Sequence, residues 1–138
     1  MRSIRRLLVV AAATLALSVL VPTVSASSDK AFHLAKTCSG FTCTITSSSF
    51  KGIPAGTVIN YTGAGLDALV AVIDAPHGTT TGHCNIASVF GSPSAPGSCT
   101  FDDGTGSLSA FHLSVAVTYD EALDVWYWDG SYSHGSDG

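Results

Sequence analysis

The chain has 138 residues, of which 46% are hydrophobic and only 12% charged, and its formal charge is −4. That length allows one small domain. Its basic residues, Arg2, Arg5, Arg6, Lys30, Lys36 and Lys51, are too few and too scattered to hold phosphates, which excludes nucleic acid and makes an anionic polymer or lipid surface a poor partner.

The first segment reads as a leader. Arg2, Arg5 and Arg6 make a basic start, Leu7 to Val21 is apolar, Pro22 breaks the run, and Val24-Ser25-Ala26 supplies small residues for a signal peptidase. The apolar run is shorter than the roughly 20 residues of a spanning helix, and no basic flank follows it. Cleavage is therefore expected after Ala26, with residues 1–26 removed, 27–138 forming one exported domain, and no membrane anchor left. That domain keeps three lysines against ten acidic residues, a balance of 3 − 10 = −7.

Eight short strands follow. Ala31 to Thr37 places Phe32 and Leu34 on one side, and Phe41 to Thr46 alternates apolar residues with threonine and can extend through Ser49. Gly52-Ile53-Pro54-Ala55-Gly56 turns the chain into Thr57 to Tyr61, and Gly63-Ala64-Gly65 leads into Leu66 to Ile73. Val70, Val72 and Ile73 tip that last stretch from helix to strand. A fifth strand runs from Thr79 through Cys84, with room to continue to Phe90. Ser98 to Phe101 is the sixth, Ser107 to Tyr119 the seventh and Val125 to Tyr132 the eighth. The seventh is the clearest: Phe111, Leu113, Val115, Val117 and Tyr119 alternate with His112, Ser114, Ala116 and Thr118, the period of a strand with one buried face. Asp102-Asp103-Gly104-Thr105-Gly106 reads as the tight reversal before it. Eight strands without a helix or a repeat predict an all-β domain, with about eight antiparallel strands closed into a barrel that leaves no bare edge and can enclose one small ligand.

Cys38, Cys43, Cys84 and Cys99 in an exported domain predict two disulfides. Of three possible pairings the local ones, Cys38–Cys43 and Cys84–Cys99, are favoured, the first across a hairpin eased by Gly40. The second closes a loop rich in Ser, Pro and Gly, worth about 3 kcal/mol in the chain-entropy model.

Two stretches of the sequence resemble known families. Cys99-Thr100-Phe101-Asp102-Asp103-Gly104-Thr105-Gly106, followed by Phe111, Trp126, Trp128, Gly130 and Tyr132, resembles small secreted bacterial proteins of the allene-oxide-cyclase-like barrel type. Plant dirigent proteins share that barrel and a similar Phe–Gly-Gly-Thr-Gly turn, from which this chain departs at Asp103. The resemblance implies a closed barrel and a lumen lined by polar groups, often arginine in the dirigent branch; no arginine follows Arg6, so that role has no residue here. Gly56-Thr57-Val58 and Gly63-Ala64-Gly65-Leu66 resemble the enediyne-binding apoproteins of the neocarzinostatin type, which implies an immunoglobulin-like β-sandwich as the alternative fold. The cysteine spacings differ, with the short loop first here.

No catalytic constellation stands out. His77 and His83, six residues apart, match no zinc pattern, and no metal or cofactor is expected. His112 falls on a polar strand face. The carboxylates sit mostly at strand ends, where they serve turns; Asp67 and Asp74, flanking the fourth strand, are the least readily dismissed. No serine lies in a Gly-x-Ser-x-Gly setting. The functional expectation is therefore a small apolar ligand inside the barrel, against Phe111, Leu113, Val115, Trp126, Trp128 and Tyr132, or a structural extracellular module. The alternatives are a cyclase- or isomerase-type enzyme, which needs a buried polar group in the lumen, and carbohydrate binding on an exposed Trp126/Trp128 strip.

Overall fold

A computed structural model describes residues 29–134; the expected leader at 1–26 lies outside the described residues. The strands are β1 (Lys30–Ser39), β2 (Thr42–Ser48), β3 (Val58–Gly63), β4 (Leu69–Ala75), β5 (Gly78–Asn85), β6 (Gly97–Gly104), β7 (Phe111–Asp120) and β8 (Val125–His134). Each pairs antiparallel with its neighbour in sequence, and β8 returns to β1, with Leu34 opposite Trp128 and Lys36 opposite Trp126. The fold is thus the expected closed eight-stranded barrel. Because one sheet closes on itself, the sandwich alternative is set aside.

Alternation decides what fills the bore. On β7, Phe111, Leu113, Val115 and Val117 are buried while His112, Ser114, Ala116 and Thr118 are exposed. Phe32 and Leu34 of β1, Ile45 of β2, Ile59 of β3, Ile73 of β4, Phe101 of β6 and Trp128 of β8 complete the packed interior. Each such side chain contributes roughly 1.5–3 kcal/mol by leaving water.

The elements differ from the sequence reading in three places. β4 begins at Leu69, since residues 64–68 form a turn in which the Ala68 N–H donates to the Gly65 carbonyl. β5 stops at Asn85, and Ala87–Phe90 winds into a 3₁₀ turn whose first amide, Ala87 N–H, donates to Asn85 Oδ1. The reversal expected at 102–106 lies further on. Asp103 and Gly104 pair with Thr81 and Thr80 of β5, so backbone hydrogen bonding to a neighbouring strand overrides the local turn preference of Asp-Asp-Gly. The chain turns instead through Gly106–Leu108, where Gly106 adopts φ +58°, and the seventh strand, expected from Ser107, begins only at Phe111.

Both favoured disulfides are present. Cys38–Cys43 and Cys84–Cys99 each join residues directly opposite on paired strands. Gly40, at φ +62°, makes the reversal that brings the first pair together. Two disulfides fit an extracellular protein. Among the described residues no helix is long and apolar enough to cross a membrane.

Candidate functional site: the barrel mouth

The connections β1–β2, β3–β4, β5–β6 and β7–β8 all emerge at one end of the barrel. Among the described residues, the four large hydrophobic side chains exposed to solvent belong to those connections: Phe41 (60%), Leu66 (37%), Phe90 (57%) and Leu123 (65%). Large apolar groups gathered at one place mark a contact surface more than scattered ones do. Within this ring opens a cavity of about 130 Å³. Phe41, Leu66 and Phe90 form its rim, and Leu69, Val117 and Trp126 its strand walls. Trp126 is held in place by Tyr119 on one side (centroids 4.5 Å apart) and Phe90 on another (5.8 Å).

Lys36 lies in the inner wall of this cavity. Strand alternation in β1 carries Phe32, Leu34 and Lys36 to the same, inner side, so the lysine is only 2% exposed. Its Nζ donates to Tyr61 Oη at 2.8 Å and lies 3.9 and 3.7 Å from the sulfurs of Cys38 and Cys43. The rings of Tyr61, Trp128 and Trp126 surround it, with centroids 5.0, 5.1 and 5.5 Å away. No carboxylate forms an ion pair with it among the described residues. Burial without a counter-charge pushes the ammonium down to about 7, while the Trp126 and Trp128 rings favour the charged form and oppose part of that push. Burial also raises the Tyr61 phenol well above its ordinary value, so Tyr61 keeps its proton throughout the physiological range. The arrangement is an apolar, half-open hollow with one amine and one phenol in its wall.

Of the six residues expected to meet a ligand, Trp126 lines this cavity. Trp128 lies deeper, fully buried, against Phe101 (5.5 Å) and beneath the lysine; with Trp126 it forms no exposed strip. Leu113 and Val115 pack in the bore. Phe111 and Tyr132 are at the opposite end, where Phe50 stacks on Phe111 (5.3 Å) and meets Tyr132 (4.6 Å). Leu113 and Tyr132 also border a depression of about 210 Å³ that includes Thr100, His112, Ser114 and Ser131. His77, His83, His112, Asp67 and Asp74 are exposed, and among the described residues no three His, Cys, Asp or Glu converge as metal ligands.

Lys36 and Tyr61 were absent from the sequence expectation. The signal was present in β1: a reading that stops at Leu34 misses that the next residue of the same parity is Lys36. No protein-family model, curated protein or solved structure matches the chain.

Proposed function

We propose that this protein is exported and binds a small apolar molecule at the barrel mouth. One observation carries the reading: the cavity and, among the described residues, all four exposed large hydrophobic side chains occupy the same end of the barrel. A cavity of 130 Å³ is close to the roughly 150 Å³ apolar hollow that accepts benzene in an engineered protein, so a ring or short alkyl group fits inside. Any remainder of a longer ligand lies against Phe41, Leu66 and Phe90. The leader-like residues 1–26, the two disulfides and the resemblance to small secreted barrels support export.

The test is a titration of the purified 27–138 domain with an uncharged naphthyl fluorophore and with toluene, in a Trp128→Phe background that leaves Trp126 as the only tryptophan. Saturable, one-site quenching of Trp126 is expected. A flat response to the whole series would refute the reading. An enzyme of the cyclase or isomerase kind has one observation in its favour: the Lys36–Tyr61 pair is the buried polar group that such chemistry requires in the lumen.

A further inference from the structure

The cavity wall holds a reactive group that simple apolar binding does not use. We infer that Lys36 is a covalent capture site, whose Nζ condenses with the carbonyl carbon of a ring-sized apolar aldehyde seated in the mouth cavity. This rests on the binding reading above and adds the chemical class of the ligand.

Three features support it. Lys36 borders the cavity although almost none of it reaches open solvent, so a ligand in the hollow meets the amine away from bulk water. No carboxylate holds the amine as an ion pair among the described residues, and burial leaves a substantial free-amine fraction near neutral pH, the usual way a lysine becomes nucleophilic. Tyr61 Oη stands 2.8 Å from Nζ with its proton retained, so it can donate to the carbonyl oxygen as the nitrogen attacks. Among the described residues Tyr61 is the one titratable side chain in hydrogen-bond contact with the amine; Cys38 and Cys43 are oxidised.

The chemistry balances without a redox partner. The nitrogen lone pair forms the C–N bond while the carbonyl π pair moves to oxygen, which takes a proton from the Tyr61 hydroxyl. The attacking nitrogen gives up a proton, which restores the phenol and leaves a neutral carbinolamine. A further proton transfer to the hydroxyl lets the C–O bond break, water leaves, and the nitrogen's last proton is returned. The net change is amine plus aldehyde to imine plus water, and it is reversible. A carboxylic acid of the same size is a weaker candidate, since the ligand would bring a charge into an apolar hollow.

The test is reductive trapping on the intact protein. Benzaldehyde or hexanal is added with cyanoborohydride at pH 7, and the adducts are located by peptide mass mapping; exposed Lys30 and Lys51 are internal controls. Lys36 is expected to label at least about tenfold faster than either control, because burial raises its free-amine fraction. Toluene in excess is expected to block the adduct, and Tyr61→Phe to slow trapping at saturating aldehyde. Labelling of Lys30 and Lys51 at the rate of Lys36, or faster, overturns the proposal, and a rate unchanged in Tyr61→Phe removes the phenol from the mechanism. Saturable toluene binding with no Lys36 adduct overturns covalent capture and leaves the binding reading standing. Failure of both overturns both.

Discussion

The two ends of this barrel are built from the same strands and differ in what their connections do with apolar side chains. At one end the β2–β3 connection folds Phe50 and Ile53 inward. Leu108, before β7, is wholly buried as well, and Phe50 meets Phe32, Phe111, Tyr132 and the His134 ring. His134 Nε2 is tied to the Ser107 carbonyl at 2.8 Å across that end. At the other end Phe41, Leu66, Phe90 and Leu123 stay on the rim, and the bore beneath them is occupied by an amine. The first arrangement buries apolar area and stabilises the fold. The second leaves area in water and puts a charge-bearing group where burial disfavours its charge, which costs stability.

That contrast predicts that the ends respond in opposite ways to truncation. Phe111→Ala, at the plugged end, removes a fully buried ring from an aromatic stack and leaves a hole that the rigid barrel closes poorly. A loss of about 3–5 kcal/mol is expected in urea denaturation, with ligand affinity at the mouth unchanged in whatever fraction stays folded. A loss below about 1 kcal/mol, the scale of an ordinary surface change, would mean that the plug does not stabilise this end.

Lys36→Met should act with the opposite sign. The folded state holds the amine near 7 against an ordinary 10.5, so between those values the unfolded chain binds more protons than the folded one. Stability therefore rises with pH across that window; the full cost of burying the ammonium is present below about pH 7 and is relieved as pH climbs toward 10.5. The slope is bounded at about 1.4 kcal/mol per pH unit, and the rings around Nζ, by favouring the ammonium, narrow the window without changing that slope. Methionine of similar length removes the slope and should stabilise the protein by about 1–4 kcal/mol at pH 6, less at pH 9. Denaturation midpoints for both proteins at those two pH values check it, and parallel pH profiles would remove Lys36 as the source.

What the residues disclosed in advance follows the same division. The bore was legible, because a two-residue period over Phe111–Tyr119 has one structural meaning and two local cysteine pairs fit opposed positions on hairpin strands. Turns were less so: Asp102-Asp103-Gly104 has turn chemistry, yet the amides and carbonyls of β5 opposite it keep it in strand. The site was the least legible part. Its rim residues, Phe41, Leu66 and Phe90, come from three separate connections that closure alone brings together. Trp126 sits on a strand of obvious parity, so its place on the barrel wall follows from the pattern, whereas Lys36, a lysine in an acidic chain, reads as surface until its neighbours in the barrel are known.

The smallest stability effect, and the sharpest separation of the two ends, is expected at the rim. Phe90→Ser replaces a side chain that is already 57% exposed, on a short 3₁₀ turn whose buried residue is Val89. Little area returns to water, so stability should move by less than about 0.5 kcal/mol. The same ring stands 5.8 Å from Trp126 and forms part of the cavity rim, so a ligand in the hollow loses about 40 Å² of apolar contact, roughly 1 kcal/mol or about a fivefold weaker Kd. Calorimetry with toluene, paired with a thermal melt, measures both quantities on one sample. Equal binding by the variant and the parent would place the ligand away from the rim, and would leave the clustering of four exposed hydrophobic residues at this end to be explained by a different occupant.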